Sequence, residues 1–580
     1  MSKEEKSVNE YKEKDKYEKV IDLAVRRGFF WVSYEIYGGV AGLYDLGPLG
    51  TLLKRRIIDL WRRVFVQRHQ EYVVEIETPI LTPEKVLIAS GHVEHFTDPI
   101  VECLKCGRKY RADHLIKEST GLEVEGLNTE ELTRIIREKN IKCPVCGGEL
   151  SEVKRFSLLF KTNIGPYSDS VGYIRPEAAQ GMFTAFKRVY EAMRNRFPIG
   201  IAQIGRVGRN EISPRQGMIR LREFTIMEIE FFFDPKNPES PLLERVAERR
   251  LKILRGEDKI KGIDKPESFR VEEAVRDKII KQPWQAYWMS VAQEFISLLG
   301  VNEEDTYFEE KLPHERAHYA EQVFDQMVRV SRWGWIEVSG HAYRTDYDLS
   351  RHQMYSGADL TIFKRYPEPV TVRRRRVYLD KGRVLRIYGP KAPEIFRELE
   401  KEDLEKLLEN AKEEDMYYVI GDKKYPKGIF RIEEFEEKIH GERILPHVIE
   451  PSFGAERLLY IALEHSYFED RERVYLKLPK IIAPIQIAVF PLVEEDHLIK
   501  IAKEIKDKLI DAGFYIIYDE SGSIGRRYAR ADEIGIPYAI TIDYETPASN
   551  TVTIRDRDTR SQERVSIEKL IDYFREKFVI

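Results

Sequence analysis

The stretch GRNEISPRQGMIRLREF, residues 208 to 224, gathers arginine, glutamate and phenylalanine between two runs of β-forming residues. Arginine presents a planar, permanently charged fork of donors to phosphate oxygens. A glutamate can accept from an exocyclic amine, and an aromatic ring can lie against a purine. These are the needs of ATP. The flanks IGIAQIG and TIMEIEFFF read as strands, and ISPRQGM, with its Pro and Gly, as the loop between them. Side chains alternate faces along a strand, which puts Arg209 and Glu211 on one face of the first strand and Arg220, Arg222, Phe224 and Glu228 on one face of the second. Phe224 and Glu228 then stand roughly 13 Å apart, room for a base and a second substrate along one ribbon. Glu228, set among Ile and Phe in MEIEFFF, does not read as a surface carboxylate.

All four cysteines fall in CLKC (Cys103, Cys106) and CPVC (Cys143, Cys146), each pair followed by a glycine, Gly107 or Gly147. The spacing suits a tetrahedral site of four thiolates, which leaves no open position and so points to a structural zinc. The 36 intervening residues are filled by NTEELTRIIREK, a helix expected to be capped by Asn128 with Glu131 three residues on. Two disulfides, or four unrelated buried thiols, are the competing readings, and a reducing cytosol disfavours the first. His92, His95 and Asp98 in GHVEHFTDP are a weaker candidate metal set.

These residues need a large scaffold. At 580 residues the chain exceeds one core, so three or four domains are expected. With 33% charged and 42% hydrophobic residues it is ordinary globular material, and no run approaches the length of a membrane span. The opening MSKEEKSVNEYKEKDKYEKV mixes acid and base without an apolar region, which argues against a secretory or transit signal and makes the cytoplasm the expected compartment. The formal net charge is -4, so a polyanionic partner must be held by local basic patches.

Along the chain, LGTLLKRRIIDLWRRVFVQRHQ (49 to 70) spaces Leu52, Leu53, Ile57, Leu60, Trp61, Val64 and Phe65 as one amphipathic helix, for a core or a subunit interface, followed by the extended EYVVEIETPILTP. The expected division is 1–100 for the N-terminal catalytic part, 101–155 for the zinc insertion, 156–234 for catalytic core, 235–330 for a helical insertion and 331–362 for core again. Residues 363–445 form a basic and acidic insertion, 446–479 return to the core, and 480–580 read as a separate α/β domain. The run Arg373 to Arg376 reads equally as a strand pair offering guanidinium groups to phosphates or as a solvated charged hairpin. Residues 393 to 414 read as an acidic, Leu-spaced helix, and Arg526, Arg527, Arg530, Arg555, Arg557 and Arg560 as nucleic-acid contacts or polar surface.

With these segments in place, a resemblance covers nearly the whole chain. GGVAGLYDLGPLG with the following helix and Pro79, RNEISPR through REFT, and EPSFGAER resemble the three motifs of class II aminoacyl-tRNA synthetases. RPEAAQG and GWIEVSG resemble signatures of the glycyl-tRNA synthetases of dimeric archaeal and eukaryotic type, and SIGRRYARADEIGIPYAIT resembles their anticodon-binding domain. One departure is Gly208, where many class II enzymes carry Phe. The resemblance implies an α+β catalytic domain on an antiparallel sheet (the class II synthetase fold), a four-cysteine zinc insertion, helical or mixed insertions and a C-terminal α/β anticodon-binding domain.

It also implies an activity: ATP-dependent attachment of glycine to tRNA(Gly) through a glycyl-adenylate, with Mg²⁺ accompanying ATP, by a homodimer. Arg209 would bind the α-phosphate, Glu211 the adenine amine and Phe224 its face, with Asn210, Arg220 and Leu221 along the nucleotide. Arg457 would hold the γ-phosphate, Glu337 and Val338 would meet the nucleotide, and Glu337 would ligate Mg²⁺. Arg209, Arg457 and Glu337 form the catalytic set. Glu177, Glu228, Glu450, Pro451 and Ser452 would surround glycine, and Arg111 would meet its carboxylate. Nothing smaller than glycine competes, so the pocket has only to exclude a methyl group, and no editing domain is required. The rival readings are a synthetase-like nucleic-acid-binding accessory protein without catalysis and a class II synthetase for another small amino acid.

Overall fold

The computed structural model describes residues 15–578 apart from 123, 125, 167–169, 215, 400–402, 421 and 472. The N-terminal residues 1–14, Arg215 of RNEISPR and residues 400–402 of the acidic segment therefore lie outside the described residues. The chain forms two compact units, Met1–Leu360 with Pro446–Ile580, and Thr361–Leu445.

The first unit is built on a nine-stranded sheet: β1 Val73–Glu75, β2 Ile199–Gly208, β3 Glu223–Phe233, β4 Arg250–Leu254, β5 Glu267–Arg270, β6 Thr306–Glu310, β7 Gln322–Val330, β8 Gly334–Thr345 and β9 His447–Gly454. Their spatial order is β5-β4-β6-β7-β8-β9-β3-β2-β1, antiparallel except at the β4/β6 and β1/β2 pairings. The four strands β7, β8, β9 and β3 fill the middle of the sheet, so both their faces are covered and each side chain must be apolar, paired or part of a site.

Alternation along β3 shows the division. Met227, Ile229, Phe231 and Phe233 enter the main core with α1 (Pro48–Trp61), α3 (Pro283–Leu298) and α4 (Ala455–Ser466). Phe224, Ile226, Glu228 and Glu230 take the opposite face. Helix α1 continues through a π turn at Arg62–Val66 and a 3₁₀ turn at Gln67–His69, so the helix expected over 49 to 70 is one element that buries Leu53, Ile57, Leu60, Trp61 and Phe65. Phe65 stacks on Trp61 and Trp288 and meets Phe295 and Phe453 edge-on or tilted. On the opposite face α2 (Ala179–Ala192) packs Phe183 and Phe186 against Phe232.

The stretch 235–330 is mixed rather than helical. It carries α3, but also β4 to β7, which extend the main sheet. Its strands are short and charged, RLKIL and TYFEE among them, so tertiary pairing decides their state where local pattern does not. The cysteine-bearing segment has its own small core of Val101, Tyr110, Leu115, Ile116, Leu132 and Ile136. Its helix Thr129–Glu138 has the expected capping box between Asn128 and Glu131. The C-terminal residues form a five-stranded sheet in the order Ile516–Tyr518, Ile487–Pro491, Tyr538–Ile542, Thr551–Asp556, Gln562–Ser566, the first three parallel and the last two antiparallel, with helices Asp496–Asp511, Ile524–Glu533 and Leu570–Lys577.

The second unit is a long hairpin, Ile362–Leu379 paired with Phe430–Ile444, and short helices over a core of Val377, Val384, Leu399, Leu408, Tyr425 and Phe430. The acidic segment is two helices, Ala392–Leu399 and Leu404–Glu409, in place of one. Arg373, Arg375 and Arg376 face Glu436, Glu434 and Glu433 across the ladder, and the Arg374 guanidinium lies 2.6 Å from Glu437. The arginine run is answered by glutamates of its own hairpin.

Phe65 sits where α1, α3 and the sheet meet, on the face away from Glu228 and Glu230. Phe65→Ala is expected to cost about 3–5 kcal/mol. A fall in the guanidinium midpoint of unfolding, with the far-UV spectrum of the folded state retained, is the measurement.

Candidate active site

The ribbon expected from the sequence is present, with its ends placed differently. β2 stops at Gly208, so Arg209, Asn210 and Glu211 lie in the connecting loop, and Arg220 and Arg222 precede β3. One more backbone bond, Arg209 N–H to the Arg222 carbonyl at 2.8 Å, carries the pairing past the strand ends. Beyond it the Arg222 guanidinium donates to the Glu211 and Ala41 carbonyls, bonds that take the place of a regular ladder at the mouth of the ribbon. Gly208 leaves room filled by Phe160 and Ile174, which a Cβ there would meet at 3.1 and 3.0 Å.

A cavity of about 180 Å³ opens over this mouth, lined by Arg209, Glu211, Arg220, Leu221, Phe224, Ile226, Glu337, Val338, Ser452, Glu456 and Arg457 among others. The Arg209 guanidinium carbon lies 5.3 Å from the Phe224 ring centroid, and its Nε donates to the Pro176 carbonyl at 3.0 Å. Arg457, on the first turn of α4, donates to the Ile219 carbonyl at 3.1 Å and to the Glu337 carbonyl at 2.6 Å. Both guanidinium groups are thus aimed by backbone oxygens. Asn210 is held in the loop by its N–H to the Leu158 carbonyl and does not line the cavity.

Glu337 reaches the cavity because β8 is bulged. Gln326 opposes Ser339 and Met327 opposes Glu337, which leaves Val338 as an extra residue. Without that residue the pleat would turn Glu337 toward the helices; the bulge re-aims it. Its side chain is 48% exposed and 3.5 Å from Arg457. Desolvation in the cleft works against its charge, but Arg457, Lys311 and Arg209 outweigh it and hold the carboxyl below its ordinary range.

Deeper on the same face lies an acidic hollow. Glu228 accepts from Ser452 Oγ at 2.9 Å and from the Ala178 N–H, just before α2, at 2.8 Å. Glu450 accepts from Arg344 at 2.9 Å, and Asp348 accepts from the same guanidinium at 2.9 and 3.1 Å. Glu177 lies 3.5 Å from Arg344 and 3.4 Å from His92 Nε2, and accepts from Gln180 at 3.0 Å. Arg344 is 0% exposed, with the Tyr319 ring 3.7 Å and the Phe183 ring 5.0 Å from its guanidinium carbon. Burial raises Glu228 and lifts Glu450 to about 8 even against Arg344. At Glu177 burial would also raise the carboxyl, but His92, Arg344 and the Gln180 bond together bring it well below its usual range. The hollow keeps a surplus of carboxylates over cations.

Comparison with known proteins follows this geometry. The family described as anticodon binding domain matches residues 486–577. The chain is 57% identical to the glycine-tRNA ligase of Aeropyrum pernix over 97% of its own length and 96% of that protein's. Identity is 50% to the enzyme of that name from Thermococcus gammatolerans, covering 97% and 98%, and 45% to that from Methanocaldococcus jannaschii, covering 97% and 99%. The chain belongs to the glycine-tRNA ligase family. A crystal structure of prolyl-tRNA synthetase from Cryptosporidium parvum, complexed with L-proline and AMP, is similar at 12% identity and a TM-score of 0.49, covering 96% of this chain and 74% of that one.

In this glycine-tRNA ligase family member some expected residues stand apart. Arg111 donates to Asp113 at 2.8 to 3.0 Å and lies 3.4 Å from Asp98, lining an adjoining cavity with Tyr110, His114, Glu211 and Arg220 rather than the acidic hollow. Pro451 lies between Glu450 and Ser452 on β9, so the pleat turns its ring to the other face, opposite His341. His92 is engaged by Glu177 and by Ser90 Oγ at 2.8 Å, and among the described residues it does not join His95 and Asp98 as a ligand set. Sequence reasoning missed Arg344, Asp348, Tyr319, Glu230 and Glu456. Arg344 and Asp348, four residues apart in YRTDYD, carried a signal as an Arg–Asp pair at a strand-to-helix junction; Tyr319 carried none.

The four cysteines are all free thiols, their sulfurs within 4.8 Å of one another. The pairs Cys103/Cys146 and Cys106/Cys143 are 3.5 and 3.7 Å apart. That excludes disulfides and fits the separation of about 3.8 Å that four sulfurs at ~2.3 Å from one tetrahedral ion would have. Gly107 and Gly147 take φ +69° and +66° to close the two turns. The group can hold a metal ion. Cys143→Ser is expected to lose bound metal and to loosen this segment, and elemental analysis with limited proteolysis around residues 101–155 checks both.

Proposed function

We propose that the chain attaches glycine to tRNA(Gly), activating glycine with ATP as glycyl-adenylate and then passing it to the terminal adenosine of the tRNA. The observation that carries this reading is the union of a cationic nucleotide cleft with an acidic hollow, joined at Ser452, which lines the first and donates to Glu228 in the second.

The first step follows from charge. A carboxylate oxygen of glycine attacks the α-phosphorus, an O–P bond forms, and the bond to the β-phosphate oxygen breaks to release pyrophosphate. Negative charge grows on the α-phosphate and on the departing oxygens, so donors fixed beforehand stabilise the transition state more than water can. Arg209, aimed by the Pro176 carbonyl, is assigned to the α-phosphate, and Arg457, aimed by Ile219 and Glu337, to the γ-phosphate. Phe224 is assigned to the adenine face, Glu211 to its amine, and Arg220, Leu221 and Val338 to the cleft walls. Glu337 would hold Mg²⁺, which when bound would neutralise phosphate charge.

The ammonium of glycine is assigned to Glu177, Glu228 and Glu450 with Ser452. A cation entering this hollow offsets the repulsion among the carboxylates, and a filled wall excludes side chains better than an open one could sense a missing methylene. We further assign structural zinc to the four cysteines, from their soft donors and closed tetrahedral spacing. The proposal includes a homodimer, as the class II motif resemblance implies, and action in the cytoplasm. Among the described residues no helix is long and apolar enough to cross a membrane.

ATP–pyrophosphate exchange with each of glycine, serine, alanine, threonine and proline tests the reading; exchange best supported by any but glycine refutes it. Arg209→Ala is expected to lower kcat for exchange about 10²–10³-fold, with thermal stability unchanged. The hollow also predicts a pH dependence. Glu228 and Glu450 have raised pKa values, the latter about 8, and an ammonium binds their ionised forms. Protonation of these carboxylates therefore competes less with binding as pH rises. KM for glycine should fall between about pH 6.5 and 8.5 while KM for ATP stays level, and a flat glycine profile would remove these two carboxylates from ammonium binding.

A further inference from the structure

Gly340 lies within β8, opposite Ser452 of β9 on one side and Asp325 of β7 on the other. Glycine inside a strand weakens it, having no side chain to pack and more backbone freedom to lose, so its presence calls for a local cause. For the other strand glycines among the described residues, apart from Gly454 at the end of β9, the cause is visible. A Cβ on Gly205 would run into the Arg175 guanidinium, and one on Gly441 into the Lys364 carbonyl. A Cβ on Gly172 would lie 2.6 Å from Ile164, and those on Gly200 and Gly208 3.0 Å from Phe231 and Ile174. Gly334 has φ +67°, while Gly454, the last residue of β9, lines the nucleotide cleft and would carry a Cβ in ordinary contact with Arg457. Gly340 has neither cause: its φ is ordinary, and a Cβ there would meet no atom within 4 Å.

The pleat places that open space on the site face. Ala342, two residues on, opposes Glu450, and Ser452, directly across, donates to Glu228. The nucleotide cleft is lined by Ser339 and Ser452 but not by Gly340. The gap therefore lies at the junction, between Ser452, which donates to Glu228, and Asp325, which stands 3.4 Å from Lys311.

We propose that Gly340 is a specificity-determining residue: its missing side chain keeps open the space between Ser452 and Asp325 that the amino acid occupies, and a methyl group there obstructs the amino acid without obstructing the nucleotide. The inference rests on the reading of the acidic hollow as the glycine site.

Gly340→Ala and Gly340→Val in the full chain test it. Three quantities are measured: the melting temperature, ATP binding in the absence of glycine, and KM for glycine in pyrophosphate exchange. Gly340→Ala should melt at or above the wild-type temperature, since alanine fits the backbone and the space. ATP binding should be unchanged, and KM for glycine should rise roughly tenfold or more, further in Gly340→Val. A Gly340→Ala enzyme with wild-type KM for glycine overturns the inference. So does one that loses ATP affinity in step with glycine affinity, because the gap then serves the nucleotide. A Gly340→Ala chain that fails to fold contradicts the open space itself. Wild-type chain without glycine-dependent exchange would instead sink the parent reading, and is recognised before any variant is made.

Discussion

A guanidinium with no exposed surface, that of Arg344, is the constraint on which the site depends. Removing such a group from water costs several kcal/mol unless its donors are met. Asp348 meets two of them, Glu450 a third, and Glu177 stands 3.5 Å away. Phe183 and Tyr319 lie against the same group with their rings. The carboxylates need the arginine as much as it needs them, since each is buried too. Yet one cation cannot balance Glu177, Glu228, Glu230, Asp348 and Glu450. The surplus is handled partly by neutralisation: both oxygens of Glu230 lack partners, and burial beside Glu450 raises its carboxyl well above the ordinary range. What neutralisation leaves over is an appetite for one more small cation, and an amino-acid ammonium is of that size.

Two bulges on one strand turn this electrostatic arrangement into a site with two compartments. The first, at Val338, swings Glu337 to the nucleotide cleft. The second lies between Tyr343 and Thr345, where β8 shifts register against β9 and Arg344 is the residue left over. A regular strand of that sequence would still carry Arg344 on the face of Gly340, four residues away, but would turn Glu337, three residues away, to the opposite one. Between the bulges the alternation is undisturbed, so Gly340 and Ala342 form a low floor under the opening.

How much of this was legible in the sequence depends on whether local pattern or tertiary pairing decides the residue. Phe224 and Glu228 could be read because strand period alone fixes their face, Ser452 through the motif it shares with the family, and the capping box at Asn128 because its partners are three residues apart. The cysteine group could be read because thiolates have few other uses at that spacing. Pro451 falls on the far face from its expected place because a motif names neighbours without regard to the pleat. Arg111 lies outside the hollow because its two aspartate partners arrive from an adjacent strand and helix. Glu337 owes its direction to a bulge, which a one-dimensional pattern does not announce, and the partners that bury Arg344 come from elements distant in sequence. The strands between 250 and 330 are held by their neighbours more than by their own composition.

The same distinction governs the basic residues of the C-terminal domain. Arg527, Arg555 and Arg557, which the sequence offered equally as nucleic-acid contacts or polar surface, are buried ties. Arg527 donates to the Gly522 and Pro491 carbonyls, Arg555 makes a fork with Asp532, and Arg557 bonds the Gly535 and Leu478 carbonyls. Asp532 also pairs with Arg473, and Glu533 with Arg26 and Arg27, so the domain is fastened to the catalytic core by charge on two successive residues of one helix. Arginine whose donors are spent internally cannot grip a phosphate directly, and with a net charge of -4 the chain has no attractive global field to draw in a polyanion. What the ties supply is position. An RNA gripped at this domain can present its far end to the cleft only if the separation between the two is fixed to within the reach of a covalent reaction, and buried, hydrogen-bonded arginines fix it where exposed ones would be screened and mobile.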